Sequence, residues 1–458
     1  MATQYTEKKT IFCPNSHQCQ DDSAPCPVCG LPVIDCETEL DLLLKALGDE
    51  EKRLKFARER IFMGVGDQGC RLVQNFFQAS RRDLKNSGFL MIDASGEARH
   101  LAGLIPETGA SKDYVISPLS LHLLPGTAGK QVGYFGLGQQ LACGDPGLDD
   151  RLLRSGIRST VRKQAVFLLS ALGGGTGSGA SPCILERARC HNSHARTLVI
   201  ALMPAATEQD GAQFNAVCSL SRLIDLERGP VADMVVLVEH DRLMKIRGVG
   251  EAGEEIAREE LVSRLLGALA GTVTVSGRGH TEPGYLAKMS RSLGIHAFVP
   301  CVAIGRSLEI FGSIRNILES ALLCPLAPVD RQEITLSHMV VNVPEKVAAS
   351  MHEQTLRSEI NRWNKETFPR LKGSTVQLSQ IDRSSDRVDV YLVLGGMPLA
   401  VLAKTAREGY ERFKTVARSR TWEKEFGNAE EILSDTGRAL ESYDAKLGET
   451  PIGSPSDE

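Results

Sequence analysis

The feature that most constrains this chain is a dense glycine stretch between an apolar run and a helix-compatible run. Residues 173–179 read Gly-Gly-Gly-Thr-Gly-Ser-Gly, after the apolar residues 164–172 and before residues 180–189. Glycine amides can approach a phosphate because no Cβ intervenes, and a helix N-terminus adds N–H groups with partial positive charge. The order therefore predicts a strand, a phosphate-binding loop and a helix; a glycine turn without a ligand is the alternative. The candidate nucleotide ligands in this loop are Gly173, Gly174, Gly175, Thr176, Gly177, Ser178 and Gly179.

A second glycine turn follows the apolar residues 61–63. It places Gly64, Gly66 and Gly69 in a G-x-G-x-x-G spacing, ahead of an amphipathic stretch over residues 71–80. This spacing suits either a dinucleotide-binding loop or a tight strand–helix junction. A dehydrogenase is therefore one interpretation, but no acid at a ribose-binding spacing supports it. Neither glycine turn is a Walker loop, which needs four residues between its glycines and then Lys-Ser/Thr.

The composition is that of a soluble globular protein. The chain has 458 residues, 42% hydrophobic and 24% charged, which allows two or three domains. Its formal charge of −4 argues against a protein that coats nucleic acid, so no specific nucleic-acid partner is expected. No apolar run approaches the roughly 18 residues that span a bilayer, and the first nine residues lack the apolar core of a signal peptide. We expect a cytoplasmic protein; peripheral membrane association stays open.

The loop over residues 173–179 matches, residue for residue, the phosphate-loop signature of the tubulin/FtsZ superfamily. Further segments over residues 60–396 resemble that superfamily in the same order. The resemblance implies a divergent prokaryotic tubulin-like protein of the α/β class. Its Rossmann-like GTPase domain would carry a parallel sheet, followed by a central helix and a smaller α+β second domain. It also implies GTP or GDP with Mg²⁺, and self-association into protofilaments.

The resemblance assigns phosphate and metal contacts to three segments. In the superfamily, the first strand ends in a glycine loop that holds phosphates. Residues 88–94 resemble the strand that ends near the γ-phosphate and magnesium, which places Asp93 near the metal. Residues 124–147 resemble the loop that senses the γ-phosphate, with Gly136 and Gly138 as contributors. The candidates in the first loop are Gly64, Gly66, Asp67, Gln68, Gly69 and Cys70.

The ribose and base contacts implied by the resemblance lie further along the chain. Glu208, Asp210 and Asn215 follow a strand over residues 197–203, where the superfamily contacts the ribose; incidental acids on a surface loop are the alternative. His240 stands where FtsZ-like chains carry the Asn that reads guanine. An imidazole can donate or accept but cannot copy both groups of an amide.

An acid on the central helix completes the implied guanine contacts. In the superfamily this acid reads the guanine edge, and here either Glu259 or Glu260 can occupy the place. We take Glu259 as the candidate. Guanine specificity stays open because His240 replaces the base-reading Asn.

The implied catalytic loop has lost an acid. FtsZ carries Asn-x-Asp-x-x-Asp there, and its carboxylates polarise the water that attacks the neighbouring subunit's GTP. The aligned stretch over residues 280–285 keeps Glu282 but has Tyr285 in place of the second acid. A phenol is uncharged at neutral pH, whereas one carboxylate can still orient water. We expect slow GTP hydrolysis or none; Glu282 as a helix-start acid is the alternative.

The N-terminal segment carries a metal-binding pattern. Five of the twelve cysteines lie between Cys13 and Cys36. The pattern resembles short zinc ribbons, with Cys19 as the alternative to the histidine and Cys36 outside the site. So short a segment would need the metal to fold, and such a module is typical of partner docking; a metal-free cysteine-rich tail is the alternative. The predicted Zn²⁺ ligands are Cys13, His17, Cys26 and Cys29.

The remaining seven cysteines lie in apolar or loop contexts. In a reducing compartment we expect small core residues rather than disulfides. They are Cys70, Cys143, Cys183, Cys190, Cys218, Cys301 and Cys324.

These patterns predict six segments and two rival functions. The first function is a guanine-nucleotide-binding protein that assembles head to tail into filaments, with slow or impaired GTP hydrolysis at the subunit interface. The second is a nucleotide-bound adaptor that does not polymerise and recruits an unidentified protein through its zinc module. The segments are a zinc-ribbon-like module (1–38), a helical linker (39–58), the GTPase domain (59–253), the central helix (254–271), the second domain (272–400), and a C-terminal helix with a disordered tail (401–458).

Overall fold

The fold is described from a computed structural model that divides the chain into two units, residues 1–57 and 58–458. In the first unit, β1 (Ile11–Phe12) pairs antiparallel with β2 (Gln18–Cys19). The predicted zinc ligands Cys13, His17, Cys26 and Cys29 lie outside the described residues, and so does the tail after residue 449. The described residues are 11–12, 18–19, 58–79, 87–95, 120–125, 132–161, 164–250, 253–270, 289–350, 352–381, 383–420 and 423–449.

In the second unit, the described residues form a sheet of ten strands in the order β11-β10-β12-β9-β8-β7-β6-β3-β4-β5. The strands from β3 to β8 are all parallel, and β9 continues the sheet by pairing with β8 at Val235 and Val236. The pairs β9–β12 and β10–β12 are antiparallel. The predicted α/β class with a mostly parallel sheet is therefore confirmed. The strands are β3 (Arg60–Val65), β4 (Ser87–Asp93), β5 (Ser120–Leu123), β6 (Ala165–Ala171), β7 (Arg196–Met203), β8 (Met234–Glu239), β9 (Ala297–Ser307), β10 (Leu336–Pro344), β11 (Gly373–Ile381) and β12 (Arg387–Gly395).

Helices connect the strands and cover the sheet. A further short helical stretch spans residues 289–293. Among the helices that the structure describes, none has both the length and the apolar character for a membrane span. The helices are α1 (Gly66–Ala79), α2 (Phe135–Cys143), α3 (Leu148–Ser155), α4 (Gly175–His191), α5 (Asp210–Leu223), α6 (His240–Leu243), α7 (Arg258–Ala270), α8 (Leu308–Phe311), α9 (Ile314–Leu322), α10 (Glu345–Ser350), α11 (Glu353–Thr367), α12 (Leu399–Leu402), α13 (Lys404–Ser419) and α14 (Ala429–Glu449).

The parallel strands contribute apolar side chains to two cores, one on each face of the sheet. In β3, Ile61 and Met63 belong to the core that includes α2, α4 and α5, whereas Phe62 belongs to the core with α1 and α7. Phe62 stacks on Phe89 and Phe167 of the neighbouring strands, with ring centroids 5.3 and 5.0 Å away. Burial on both faces explains why these strands read as continuous apolar runs.

The C-terminal region holds two long helices where the sequence suggested one. The apolar positions at 399–416 fall on α12 and α13, which are separated at Ala403. Helix α14 packs beside α5, and its Tyr443 hydroxyl accepts hydrogen bonds from the backbone N–H groups of His296 and Ala297. Charged and small polar residues are mixed with the apolar positions of α14, so its sequence pattern does not predict a separate helix. The division of residues 58–458 into a GTPase domain, a central helix and a second domain stays a prediction.

The expectation that seven cysteines are core residues holds only in part. Cys143 and Cys190 are exposed, so it is wrong for these two, and Cys324 is half-buried. Both exposed thiols lie at helix ends, where apolar neighbours in sequence do not imply burial. The buried cysteines are Cys70, Cys183, Cys218 and Cys301.

Candidate functional site

The candidate site lies at the carboxyl edge of the parallel strands. The C-terminal ends of β6, β7 and β8 open into a cavity of about 460 Å³, here called the carboxyl-edge cavity. Open α/β sheets bind their ligands at this edge. The polar or glycine residues that line it are Gln68, Gly173, Gly174, Glu208, His240, Arg258 and Glu259.

The predicted phosphate loop joins β6 to α4 at this cavity. Gly174 is the N-cap of α4 and has extended backbone, with φ −85° and ψ 151°. A Cβ on Gly177 would overlap the carbonyl oxygen of Ala171, so the first turn of α4 sits directly on the backbone of β6. Only glycine permits that approach. The loop therefore presents backbone rather than side chains to the cavity.

Two serine hydroxyl groups of this region donate to the backbone of the loop. Ser178 Oγ donates to the carbonyl oxygen of Gly174 at 2.7 Å, and Ser170 Oγ donates to that of Gly177 at 2.9 Å. Thr176 is 8% exposed.

Two glycines of the loop lie against the start of α2. A Cβ at Gly175 would come within 2.6 Å of Tyr134 N, and a Cβ at Gly179 would overlap Phe135 O. These contacts tie the loop to its own backbone and to α2.

Asn215 connects the phosphate loop to two other elements. Its Oδ1 accepts from the backbone N–H of Phe135 at 2.9 Å, and its Nδ2 donates to Gly133 O at 2.9 Å and to Gly173 O at 2.8 Å. The residue is 1% exposed. Asn215 is thus engaged with the protein rather than turned toward the cavity, and a ribose contact through it stays a prediction.

The first glycine turn forms the start of α1. Gly66 has φ +75°, which favours glycine, and a Cβ there would lie 3.2 Å from Gly177 N of the phosphate loop. Gly64 and Gly69 are packed against neighbouring backbone, and a Cβ on either would overlap a carbonyl oxygen. Among the residues of this turn, Gln68 lines the cavity. The backbones of the two glycine turns are therefore close to each other.

The other side chains of that turn point elsewhere. Asp67 pairs with Arg71 one helical turn later, at 3.0 Å. The Cys70 thiol donates to Gly64 O at 3.5 Å and to Ile92 O at 3.6 Å. Burial raises the pKa of the Cys70 thiol well above its ordinary value, so it stays protonated.

Asp93 ends β4 and is 2% exposed. Its Oδ2 accepts from Ser95 Oγ at 2.6 Å, and burial raises the pKa of the carboxyl above its ordinary value. A nearby cation would reverse that shift, since it would favour the ionised form. Asp93 is not among the described residues that line the carboxyl-edge cavity.

Gly136 lies against the C-terminal region. A Cβ there would overlap the carbonyl oxygen of Phe426, and the residue lines a separate cavity of about 230 Å³ beside Gly427. A nucleotide contact through Gly136 stays a prediction.

The loop after β7 splits its two acids. Glu208 lines the carboxyl-edge cavity, and its Oε1 accepts from the backbone N–H of Ala205 at 2.8 Å. Asp210 instead pairs with Arg412 of α13 at 2.7 Å, and that guanidinium lowers the pKa of the Asp210 carboxyl. Of the two, Glu208 is positioned to meet a ligand.

The far end of the cavity is formed by α6 and α7. His240 begins α6, and Arg258 and Glu259 begin α7; all three line the cavity. Glu260 is instead in an ion pair with Arg264 at 2.7 Å. The structure therefore separates the two acids that the sequence left as alternatives, with Glu259 at the cavity. Glu282 and Tyr285 lie outside the described residues.

Arg258 and all the apolar residues that line the cavity were not predicted from the sequence. Arg258 directly precedes Glu259 in the sequence, so the predicted place of Glu259 was the signal that could have identified Arg258 as a lining residue. The apolar lining residues sit at strand ends or on helix faces, where they cannot be distinguished from core residues in a sequence. They are Leu72, Ala171, Leu202, Met203, Pro204, Leu243, Met244 and Val262.

Comparisons with known proteins agree with this architecture. Residues 144–248 match the family model described as Tubulin/FtsZ family, GTPase domain. The cell division protein FtsZ of Haloferax mediterranei is 28% identical over 166 residues, which are 36% of this chain and 41% of that protein. This chain thus spans about two-fifths of the length of that curated relative.

Solved structures extend the likeness over most of the chain. CetZ2 from Haloferax volcanii, in a GTPγS-bound protofilament, has a TM-score of 0.56 and 19% identity, and the match covers 77% of this chain and 99% of that one. An empty FtsZ dimer from M. jannaschii has a TM-score of 0.54 and 17% identity, covering 80% of this chain and 95% of that one. The chain therefore has a tubulin/FtsZ-like fold. The matched GTPase segment and the FtsZ relatives support the predicted tubulin-like superfamily.

Proposed function

We propose that this chain binds a guanine nucleotide with Mg²⁺ in the carboxyl-edge cavity and assembles head to tail into filaments, with slow GTP hydrolysis between subunits. The observation that carries the proposal is the placement of the glycine loop. Gly173 and Gly174 open on the cavity at the N-terminus of a 17-residue helix, α4. Amides at a helix start lack intrahelical acceptors and carry partial positive charge, which suits phosphate.

The residues at the opposite end of the cavity suit a guanine base. The Glu259 carboxylate can accept from both the N1–H and the 2-amino group of guanine, and adenine offers neither donor there. His240 lies at the same end and can donate or accept in the base plane. Leu72, Leu243 and Val262 supply apolar walls for a flat ring. The charge and shape of this end therefore favour guanine over adenine.

Asp93 is the proposed protein contact for magnesium. Mg²⁺ commonly takes one or two carboxylates together with substrate phosphates. Asp93 ends the strand next to β3, and burial opposes its ionisation until a cation compensates the charge. The Asp93 carboxylate therefore has the chemistry to hold a magnesium ion beside the phosphates, with or without a bridging water.

The matched pair Glu259→Gln and Glu260→Gln tests the nucleotide site. We expect Glu259→Gln to weaken GTP binding at least tenfold in titration calorimetry, because the amide no longer accepts both guanine donors. Glu260→Gln should leave the affinity within about twofold, since Glu260 lies outside the cavity lining. The nucleotide released by denaturing purified protein should be GTP or GDP. Released ATP, or equal effects of the two variants, would contradict the site.

Head-to-tail assembly is supported by the likeness to a protein solved as a protofilament. Heterologous contacts of one surface against another produce open filaments when they do not close into a ring. Electron microscopy with GTP, GTPγS and Mg²⁺ should show filaments. A monomer in sedimentation at high concentration with all three would oppose this half of the proposal.

Slow hydrolysis depends on Glu282 as the remaining acid of the catalytic loop. Glu282→Ala should abolish the residual phosphate release while leaving nucleotide binding unchanged. Release that persists in the variant would remove Glu282 from catalysis.

The adaptor is the second candidate, and His240 and Tyr285 favour it because both replace residues that serve guanine reading or hydrolysis in the resembling family. Its zinc module would use Cys13, His17, Cys26 and Cys29. Metal analysis of the full chain should give about one zinc per chain, lost in Cys26→Ser. A full chain that carries no zinc would exclude the module.

A further inference from the structure

A second cavity lies at the amino edge of the sheet. It has a volume of about 680 Å³ and is lined by residues that precede β8 and β9, such as Pro230 and His296, and by the second half of α4. Cys143 and Cys183 both line it. Their Sγ atoms are 2.7 Å apart, joining the last residue of α2 to the middle of α4.

We propose that Cys143 and Cys183 are an oxidation site, at which a hydroperoxide converts the two thiols into a reversible disulfide. A disulfide bond is about 2.05 Å long, so the observed separation needs only a small side-chain movement to close. A zinc ion held by two thiolates would keep the sulfur atoms about 3.8 Å apart, because each Zn–S bond is about 2.3 Å in tetrahedral geometry. The sulfur separation therefore favours bond formation over metal binding.

The two cysteines have the unequal environments that such a reaction needs. Cys143 is exposed, whereas Cys183 is buried with 6% exposure. The hydrogen bond between the two thiols lowers the pKa of Cys143, and the charge of Arg187 acts in the same direction. The same contact and burial raise the pKa of Cys183. Cys143 is thus the thiolate that meets the oxidant, and Cys183 is the resolving thiol.

The reaction balances with hydrogen peroxide as the oxidant. The Cys143 thiolate attacks one peroxide oxygen, the O–O bond breaks, and the departing hydroxide takes up a proton to form water. Cys183 then attacks the sulfur of the resulting sulfenic acid, forming the S–S bond and releasing a second water. Two thiols and one peroxide give one disulfide and two waters. A thiol reductant reverses the change.

The disulfide would join the two helices that hold the phosphate loop. Gly138 of α2 lies against Gly175 O of α4, so the helices are already in backbone contact near the loop. The covalent link would close a loop between two residues that are 40 positions apart in the sequence. Oxidation would therefore fix α2 against α4 without entering the carboxyl-edge cavity.

Peptide mapping of the full chain tests the proposal. The protein is treated with hydrogen peroxide, its free thiols are alkylated, and it is digested with trypsin without reduction. Cys143 is the one cysteine of peptide 131–151, and Cys183 is the one cysteine of peptide 164–187. We expect these peptides linked, about 2 Da lighter than their sum, and separated by dithiothreitol.

Variants make the result decisive. Cys143→Ser and Cys183→Ser should each abolish the linked pair, whereas the control Cys190→Ser should retain it, because Cys190 lines the same cavity but lies two turns further along α4. Because the Cys143 thiol is exposed, Cys143→Ser should fold normally. It therefore tests the linkage even if the buried substitution Cys183→Ser prevents folding. Linkage of Cys143 to another cysteine would overturn the proposal. So would full alkylation of both thiols at a peroxide dose that oxidises Cys190.

Discussion

The amide nitrogen of Asn215 donates a hydrogen bond to the carbonyl oxygen of Gly173, across 2.8 Å. Asn215 lies on α5, and Gly173 lies in the phosphate loop, 42 residues earlier. The same amide also holds Gly133 and Phe135 at the entrance of α2. One buried side chain therefore sets the relative position of three elements at the candidate site.

Replacing Asn215 with alanine should destabilise the fold and the loop together. We expect the free energy of unfolding to fall by about 2–3 kcal/mol, because two backbone carbonyls and one N–H lose a buried partner. Nucleotide affinity should fall at least tenfold as Gly173 loses its support. Urea unfolding and calorimetric titration would measure the two effects. Asn316→Ala, at an exposed helix start, is the control and should leave the affinity unchanged; equal affinities for both variants would contradict the role.

Two glycines of the phosphate loop should respond differently to alanine. Gly177→Ala should lower the free energy of unfolding by about 1–3 kcal/mol, because its Cβ would overlap Ala171 O. A Cβ on Gly174 meets nothing within 4 Å, and its φ of −85° suits alanine, so Gly174→Ala should keep its stability.

Nucleotide binding gives the pair a second readout. Gly174 lines the carboxyl-edge cavity, so its new methyl group should hinder a bound phosphate and weaken GTP binding in calorimetry. If Gly174→Ala instead binds GTP as tightly as the parent protein, the phosphates do not approach this residue.

Asp93→Asn should change stability in a pH-dependent way. Burial raises the folded-state pKa of Asp93, so the folded protein holds its proton more tightly than the unfolded chain does. The wild type therefore loses stability as pH rises from about 4, the unfolded value, through the folded pKa. In nucleotide-free protein, the stability difference of Asp93→Asn minus wild type should grow over that window and then level off. Thermal unfolding from pH 4 to 7 measures it; a difference that shrinks with rising pH would show the opposite shift.

Asp210 offers a test of which acid meets the ribose. Because Asp210 pairs with Arg412 on the exposed surface, Asp210→Ala should leave nucleotide affinity within about twofold. Glu208→Ala should weaken it more, since Glu208 lines the carboxyl-edge cavity. A larger loss in Asp210→Ala than in Glu208→Ala would place the ribose beside α13 instead.

His240→Asn should sharpen base selection. An amide offers one donor and one acceptor in a fixed plane, whereas a neutral imidazole offers them on opposite sides of its ring. We expect the ratio of GTP to ATP affinity to rise about tenfold or more, the value of one added base-edge hydrogen bond. Competition between the two nucleotides measures the ratio. An unchanged ratio would mean that His240 does not face the base.

The sequence by itself determined the mostly parallel sheet, the glycine loop between β6 and α4, and the order of the elements around them. Strands buried on both faces, such as those holding Phe62 and Phe167, must be apolar throughout, and backbone that touches backbone, as at Gly177, requires glycine. Both demands act on residue type at consecutive positions. They can therefore be read locally.

Tertiary structure alone decided which polar side chains share the cavity. Glu259 and Glu260 are neighbours in sequence, yet one lines the cavity and the other pairs with Arg264. Asp210 forms an ion pair with Arg412, and Asn215 donates a hydrogen bond to Gly173. The thiols of Cys143 and Cys183 are in contact although the two residues are 40 positions apart. Each outcome depends on a partner brought close by the packing of helices on the sheet. A side chain's direction and its partner are properties of the assembled core, which a local pattern does not encode.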